Sequence, residues 1–194
     1  MVYEKLEATR LRVKYKHFFH MRHLYIMMHE WLLEHSWAPQ YDKDFNETLY
    51  LQRENQQRGG ELWIWWRCSK NPGDSTYYRY NLNIDIHILL LKESEIVHKG
   101  QKYQTNWGEV EIDIKADLIT DPEKKFEKSI IGPLNNFLRG RILKEQVEKH
   151  RIELYREAYR FQEALKAYFN LSTYLPEPED QAGLYFPAGG IGEA

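Results

Sequence analysis

Apolar and polar residues alternate strictly in two segments of the chain, 78–88 and 110–118. A period of two is typical of antiparallel strands that bury one face and leave the other in solvent. The alternation therefore assigns side chains to opposite faces of a sheet. We expect one set to be buried, namely Ile84, Ile86, Ile112 and Ile114, and the alternate set to stay accessible, namely Asn83, Asp85, Glu111 and Asp113.

Three further segments have strand-like patterns. Residues 10–16 alternate basic with apolar side chains, and residues 48–54 form a shorter, mixed segment. In residues 61–67 both alternating faces are apolar, which predicts a central strand covered on both sides. Glycine-containing turns separate the segments, at 58–60, 71–74 and 99–100.

Two segments have helical periodicity. Apolar residues recur at three- and four-residue steps in residues 20–36, which predicts an amphipathic helix. After Gly132 and Pro133, residues 134–171 keep an apolar spacing close to that of a coiled-coil seam. A helix of that length is about 57 Å long, whereas strands are usually ~17–20 Å long. We therefore expect the second helix to extend past the sheet and to contact something else.

These elements predict an α+β fold, with an antiparallel sheet of five or six strands, an N-terminal helix and a long C-terminal helix. Residues 1–171 are expected to form a single domain. Beyond them, residues 172–194 are rich in glycine, proline and acidic side chains, a composition that predicts a flexible tail.

The overall composition is that of an ordinary globular protein, with 42% hydrophobic and 29% charged residues. The net charge of −2 gives no reason to expect a nucleic-acid partner, and the acidic segment 109–117 argues against one. Cys68 is the single cysteine, which excludes an intrachain disulfide. The sequence has no apolar stretch long enough to span a bilayer and no secretory signal, so we expect no membrane insertion and a cytoplasmic location.

Candidate catalytic and metal-binding residues lack the partners that their chemistry needs. His29-Glu30 resembles the start of a zinc-protease helix, but Leu33 stands where the second histidine is required. Asp85 and His87 share one strand face, where acid–base catalysis would also need an enclosed site. The sequence therefore assigns no catalytic residue, no metal site and no cofactor, and it favours a non-enzymatic role.

The distal half of the long helix carries an apolar stripe, and the tail carries an apolar island. If the proximal half of the helix covers the sheet, the stripe is left exposed, and exposed apolar stripes usually mark interfaces. We therefore predict a binding or assembly module whose partner is another copy of the chain or a different protein. The predicted partner-binding residues are Leu154, Ala158, Phe161, Leu165 and Tyr168 in the helix and Leu184, Tyr185 and Phe186 in the tail.

A second hypothesis is a carrier or sensor of a hydrophobic small molecule. The order of the elements, a helix followed by antiparallel strands and a long final helix, resembles the helix-grip arrangement of START-like domains over residues 18–170. That resemblance implies binding of a lipid or another hydrophobic molecule. The candidate cavity residues are Trp63, Trp65, Trp66, Tyr78 and Tyr80. Packing of these aromatic side chains in the core is the alternative interpretation.

Four short stretches resemble an uncharacterised family of small archaeal proteins. They are Tyr50–Glu54, Thr105–Glu111, Glu153–Arg160 and Thr173–Glu179. The resemblance covers most of the chain and implies no function.

Overall fold

The computed structural model describes residues 5–39, 45–54, 59–73, 75–98, 101–123 and 143–174. Within them the chain forms five strands and two helices. The strands are β1 (Lys5–Phe19), β2 (Glu47–Arg53), β3 (Gly60–Lys70), β4 (Tyr78–His98) and β5 (Gln101–Thr120). The helices are α1 (Met21–Glu34), between β1 and β2, and α2 (Leu143–Tyr174), after β5.

The strands form one antiparallel sheet in the order β1-β5-β4-β3-β2. The protein thus has an α+β fold, with the antiparallel sheet, the N-terminal helix and the long C-terminal helix that the sequence predicts. The strands β1 and β2 lie at opposite edges of this sheet. The connection that contains α1 must therefore cross from one edge to the other.

The two faces of the sheet follow the alternation in the sequence. The set predicted to be buried is buried, namely Ile84, Ile86, Ile112 and Ile114. The set predicted to be accessible is partly exposed, namely Asn83, Asp85, Glu111 and Asp113. The predicted assignment is confirmed in both strands. We call the face that carries Asp85 and Asp113 the open face, and the opposite one, which packs against the helices, the helix-covered face.

The strand β3 differs from its prediction, which was a central strand covered on both sides. It pairs with the edge strand β2 on one side and with β4 on the other. Its residues Ile64 and Trp66 are buried on the helix-covered face, whereas Trp65 on the open face is 42% exposed. The predicted interior position of β3 is confirmed, but the predicted coverage on both sides is wrong, because an apolar side chain on a strand does not by itself show that a second layer covers it.

The helix predicted within residues 20–36 is confirmed as α1. The His20 side chain caps its first turn by accepting a hydrogen bond from the backbone N–H of His23 (3.4 Å). Beyond the last turn, Ser36 has a positive φ of 57°, which redirects the chain. The apolar residues at helical spacing form its buried side, namely Leu24, Met27, Met28, Trp31 and Leu32.

The long helix α2 lies over β1 and β5. It also contacts α1, where the rings of Trp31 and Phe161 have centroids 4.8 Å apart. The predicted start of this helix at residue 134 lies outside the described residues. Its end is at Tyr174 rather than at residue 171.

The predicted tail lies almost wholly outside the described part of the chain, and so do Leu184, Tyr185 and Phe186. Its flexibility therefore stays a prediction. Among the described helices, neither has the length and apolar composition that crossing a membrane would require.

Candidate functional site

The apolar stripe of α2 is buried within the chain, so the prediction that it forms an exposed partner surface is wrong. Its side chains are 0–2% exposed, namely Leu154, Ala158, Phe161, Leu165 and Tyr168. The Tyr168 hydroxyl donates a hydrogen bond to the backbone carbonyl of His20 at 2.8 Å, which holds this side of α2 against the start of α1. The prediction assumed a short sheet, but α2 lies over β1, which has 15 residues and is about 50 Å long. The 32 residues of α2 span about 48 Å, so this strand is as long as the helix.

The five aromatic residues of the predicted ligand cavity do not meet. Trp66, Tyr78 and Tyr80 are buried on the helix-covered face, whereas Trp63 and Trp65 lie on the open face. Successive side chains of a strand point to opposite faces, so Trp65 and Trp66 cannot line one cavity. Trp66 is instead part of the core, where its indole N–H donates to the Glu47 carboxylate at 3.0 Å.

A patch of four apolar side chains lies at the β2 edge of the open face. Leu49 is directly opposite Trp65, and Leu51 is directly opposite Trp63, in the antiparallel pair formed by β2 and β3. Leu51 is 38% exposed and Trp65 is 42% exposed. We call Leu49, Leu51, Trp63 and Trp65 the apolar patch.

Charged side chains surround the apolar patch and hold its indoles. The guanidinium of Arg53 lies 5.3 Å from the ring centre of Trp63, and that of Arg67 lies 5.6 Å from the ring centre of Trp65. These are cation–π distances. Trp63 also stacks on His87, with ring centroids 4.9 Å apart and planes 15° apart. The two indoles are therefore fixed in position while part of their surface stays in solvent.

The candidate acid–base pair of the open face is divided between two other partners. Asp85 binds Arg67 at 2.6 Å, and His87 lies 2.9 Å from the carboxylate of Glu61. Each side chain is thus used in a cross-strand contact that orders the surroundings of the indoles. Both contacts lie beside the indoles, because Arg67 also contacts Trp65 and His87 also stacks on Trp63.

The β1 half of the open face is filled by ion pairs. Arg12 of β1 binds Asp113 of β5 at 2.6 Å and Glu111 at 2.9 Å, and Lys14 binds Glu111 at 3.1 Å. The hydrogen bond with Asp113 raises the pKa of Arg12. These carboxylates therefore pair with the cations of Arg12 and Lys14 along this part of the open face.

A polar cluster beneath α2 was not recognised from the sequence. The Tyr80 hydroxyl lies 2.7 Å from Nδ1 of His150 and donates to the Glu153 carboxylate at 3.1 Å. A hydroxyl carries one proton, so the Tyr80 oxygen accepts from the Nδ1–H of His150 in this arrangement. Nearby, Lys70 of β3 binds the Glu157 carboxylate of α2 at 2.7 Å.

A signal for this cluster was present in the helix. The apolar seam of α2 is interrupted where His150 stands between Val147 and Leu154 and where Glu157 stands beside Ala158. Polar residues at seam positions require partners in the opposing layer. The sequence does not say which strand residues supply those partners, since Tyr80 resembles an ordinary core residue.

The protonation of two buried groups, Cys68 and Tyr80, argues against their use as a nucleophile or a base. Burial raises the pKa of the Cys68 thiol to about 12. Burial, together with the nearby Glu153 carboxylate, also raises the pKa of Tyr80. Both groups stay protonated at neutral pH, whereas nucleophilic or basic use needs the opposite shift. In the described residues, His, Cys, Asp and Glu side chains form no group of three that could hold a metal ion.

No protein-family model matches the chain, and no curated protein is significantly similar to it. Among solved structures, the chain is similar to the di-domain ARO/CYC StfQ from the steffimycin biosynthetic pathway, at 10% sequence identity. The alignment covers 81% of this chain and 52% of that one, so the chain spans about half the length of that protein, and the TM-score is 0.17. A TM-score this low does not indicate a shared fold, so we infer nothing about this chain from that protein.

Proposed function

We propose that this protein is a non-enzymatic binding module that recognises a protein partner through the apolar patch. The observation that carries the proposal is the pair of indoles on the open face, with Trp65 42% exposed. Ordered tryptophans beside arginines are the side chains that dominate binding energy in protein interfaces. Arg53 and Arg67 supply the polar rim that such interfaces have.

The alternative, a carrier of a hydrophobic small molecule, has weaker support. Its five aromatic residues are divided between the two faces of the sheet. Those on the helix-covered face contact other side chains of the core: Trp66 packs edge-on against Tyr25, with ring centroids 5.1 Å apart, and Tyr80 binds His150. A carrier would need an enclosed apolar space beneath the long helix, whereas the Tyr80–His150 contact joins the sheet to that helix directly.

The test compares two aromatic side chains of equal exposure. Trp65→Ser removes an indole from the apolar patch, whereas Tyr155→Ser removes a ring that is 41% exposed on α2. The full chain and both variants are purified from the source cells, and the mass of each native complex is measured by mass spectrometry.

We expect the wild type and Tyr155→Ser to give complexes heavier than one chain. Trp65→Ser should lose at least about 90% of these complexes, as expected for an interface hot spot. Complexes that survive in Trp65→Ser at the wild-type level would contradict the proposal. Circular dichroism of the variant shows whether the fold is retained.

A further inference from the structure

The two edges of the sheet differ in how they are protected against pairing with another strand. An edge strand offers unpaired backbone N–H and C=O groups, and proteins commonly block such edges with charged side chains. The β1 edge carries four cations on the open face, namely Arg10, Arg12, Lys14 and Lys16. The β2 edge instead exposes Tyr50 (53%) and Leu51 (38%) at its centre.

Self-pairing has opposite consequences at these two edges. Two β1 strands related by a twofold axis at Val13 would place Arg12 opposite Lys14 of the second copy, and like charges directly opposite each other are destabilising. Two β2 strands related by a twofold axis at Tyr50 would place Leu49 opposite Leu51 of the second copy. Aliphatic side chains in that position are favourable. The sequence thus protects β1 and leaves β2 able to pair.

We propose that the partner of the apolar patch is a second copy of this chain, joined by antiparallel pairing of β2 with β2 about a twofold axis at Tyr50. This inference rests on the proposed function and specifies its partner. The two five-stranded sheets become one continuous sheet of ten strands.

The register at Tyr50 also joins the two apolar patches. Directly opposite residues share a face of a sheet, so Leu49 and Leu51 of both copies all lie on the open face. In each copy Leu49 is backed by Trp65, and Leu51 is backed by Trp63. The leucines that meet across the twofold axis therefore connect the indoles of one copy to those of the other in an uninterrupted apolar band.

The charges at the two ends of β2 agree with an antiparallel pair. The strand begins at Glu47 and ends at Arg53, so antiparallel pairing brings each anion to the end where the other copy has its cation. The irregularity in pairing between Glu47 and Leu49 turns the Glu47 carboxylate to the helix-covered face, where it accepts hydrogen bonds from Tyr25 and Trp66. The attraction therefore acts between strand ends, without a direct contact, whereas a parallel pair would bring like charges together.

Cysteine cross-linking tests the register in the full chain. In the proposed pair the two Cα atoms at position 50 are about 4.5–5.5 Å apart, within the range of a disulfide. The two Cα atoms at position 52 are about 14 Å apart, because they are separated by four residues along the strands and by one strand spacing across them. The native Cys68 is 1% exposed and does not interfere. Under oxidised glutathione, Tyr50→Cys should form a covalent dimer and its matched control Gln52→Cys should not.

A second measurement follows the association itself. Sedimentation of the wild type should give a dimer, and Leu49→Lys with Leu51→Lys should raise its dissociation constant about tenfold or more, because lysines then oppose each other twice across the axis. Circular dichroism checks that the double variant is folded.

A wild type that stays monomeric at every concentration contradicts the inference, and so does a dimer in which Gln52→Cys cross-links as fast as Tyr50→Cys. The purified wild type could instead be monomeric, while the native complex contains a different protein that Trp65→Ser no longer binds. In that case the self-pairing is wrong and the proposed function stands. If Trp65→Ser changes no association at all, the proposed function fails as well.

Discussion

The Tyr80 hydroxyl of β4 lies 2.7 Å from Nδ1 of His150 in α2 and joins the sheet to the long helix by a hydrogen bond. The two residues are 70 positions apart in the sequence. A partly buried polar pair of this kind is satisfied in only one alignment of the two layers. It therefore fixes where α2 sits along the sheet, whereas the apolar contacts of Leu154 and Phe161 would tolerate a shift along the helix.

The Tyr80–His150 pair should show coupling in a double-mutant cycle. Tyr80→Phe removes the hydroxyl and His150→Leu removes the imidazole, and each change leaves the other polar group without this partner. We expect an interaction free energy of about 0.5–3 kcal/mol from urea unfolding of the two single variants and the double variant. Tyr155→Phe serves as the control, because Tyr155 is exposed on α2. Coupling as small as that between Tyr155→Phe and His150→Leu would show that the pair does not contribute.

The burial of the α2 stripe predicts a loss of stability, not of assembly, when the stripe is truncated. Leu165→Ala should lower the free energy of unfolding by about 2–5 kcal/mol, because Leu165 is fully buried. Ile152→Ala on the same helix should change it by no more than about 0.5 kcal/mol, because Ile152 is 41% exposed. Equal unfolding midpoints for the two variants would mean that the stripe is not part of the core.

The sheet was predictable from the sequence where one face is buried and less so elsewhere. Alternation located the centres of β4 and β5 because Ile84 and Ile112 must reach the core there. It ended β4 at residue 88, although the strand continues to His98. Past the register shift between Leu89 and Lys92, β4 and β5 continue as a largely solvent-exposed ribbon. Because neither face of such a ribbon is buried in the core, its apolar and polar residues need not alternate.

The candidate site was less predictable than the fold because it depends on which surfaces meet. The tryptophans of β3 predicted a strand. The sequence does not show, however, that α1 and α2 cover only the face of the sheet that carries Trp66. In the same way, the stripe of α2 was recognised correctly as an apolar surface. The surface that covers it could not be identified, because β1 extends over Lys5–Phe19, beyond the alternating segment 10–16.

The tail provides a separate prediction about binding. Leu184, Tyr185 and Phe186 are adjacent and are followed by Pro187, whose fixed φ lowers the entropy lost on docking. We propose that this island docks on a partner or on a neighbouring copy. Deletion of residues 180–194 should therefore weaken the native complex, measured as its mass and as the affinity for its partner. The idea is wrong if the shortened chain retains both.

The last prediction concerns the pH dependence of stability. Burial lowers the pKa of His150 below its ordinary value of 6.5, and the nearby Glu153 carboxylate only partly opposes this shift. The folded chain therefore keeps His150 uncharged over a range of pH in which the unfolded chain takes up a proton. The contribution of His150 to the free energy of unfolding is fully present above about pH 6.5, and it is lost as the pH falls through the pKa that His150 has in the folded chain. The wild type should lose more unfolding free energy than His150→Leu between about pH 7.5 and about pH 5.

Two comparisons separate this effect from the general effect of acid. Carboxylates titrate in the same range in both proteins, so only the difference between the wild type and His150→Leu reports on His150. His17→Gln provides the matched control, because His17 is exposed on β1, and it should follow the wild type at every pH. Urea unfolding at a series of pH values measures all three proteins. Parallel plots of unfolding free energy against pH for the wild type and His150→Leu would contradict the prediction. They would show that the imidazole is as easily protonated in the folded chain as in the unfolded chain, and that the contact with Tyr80 persists when His150 is charged.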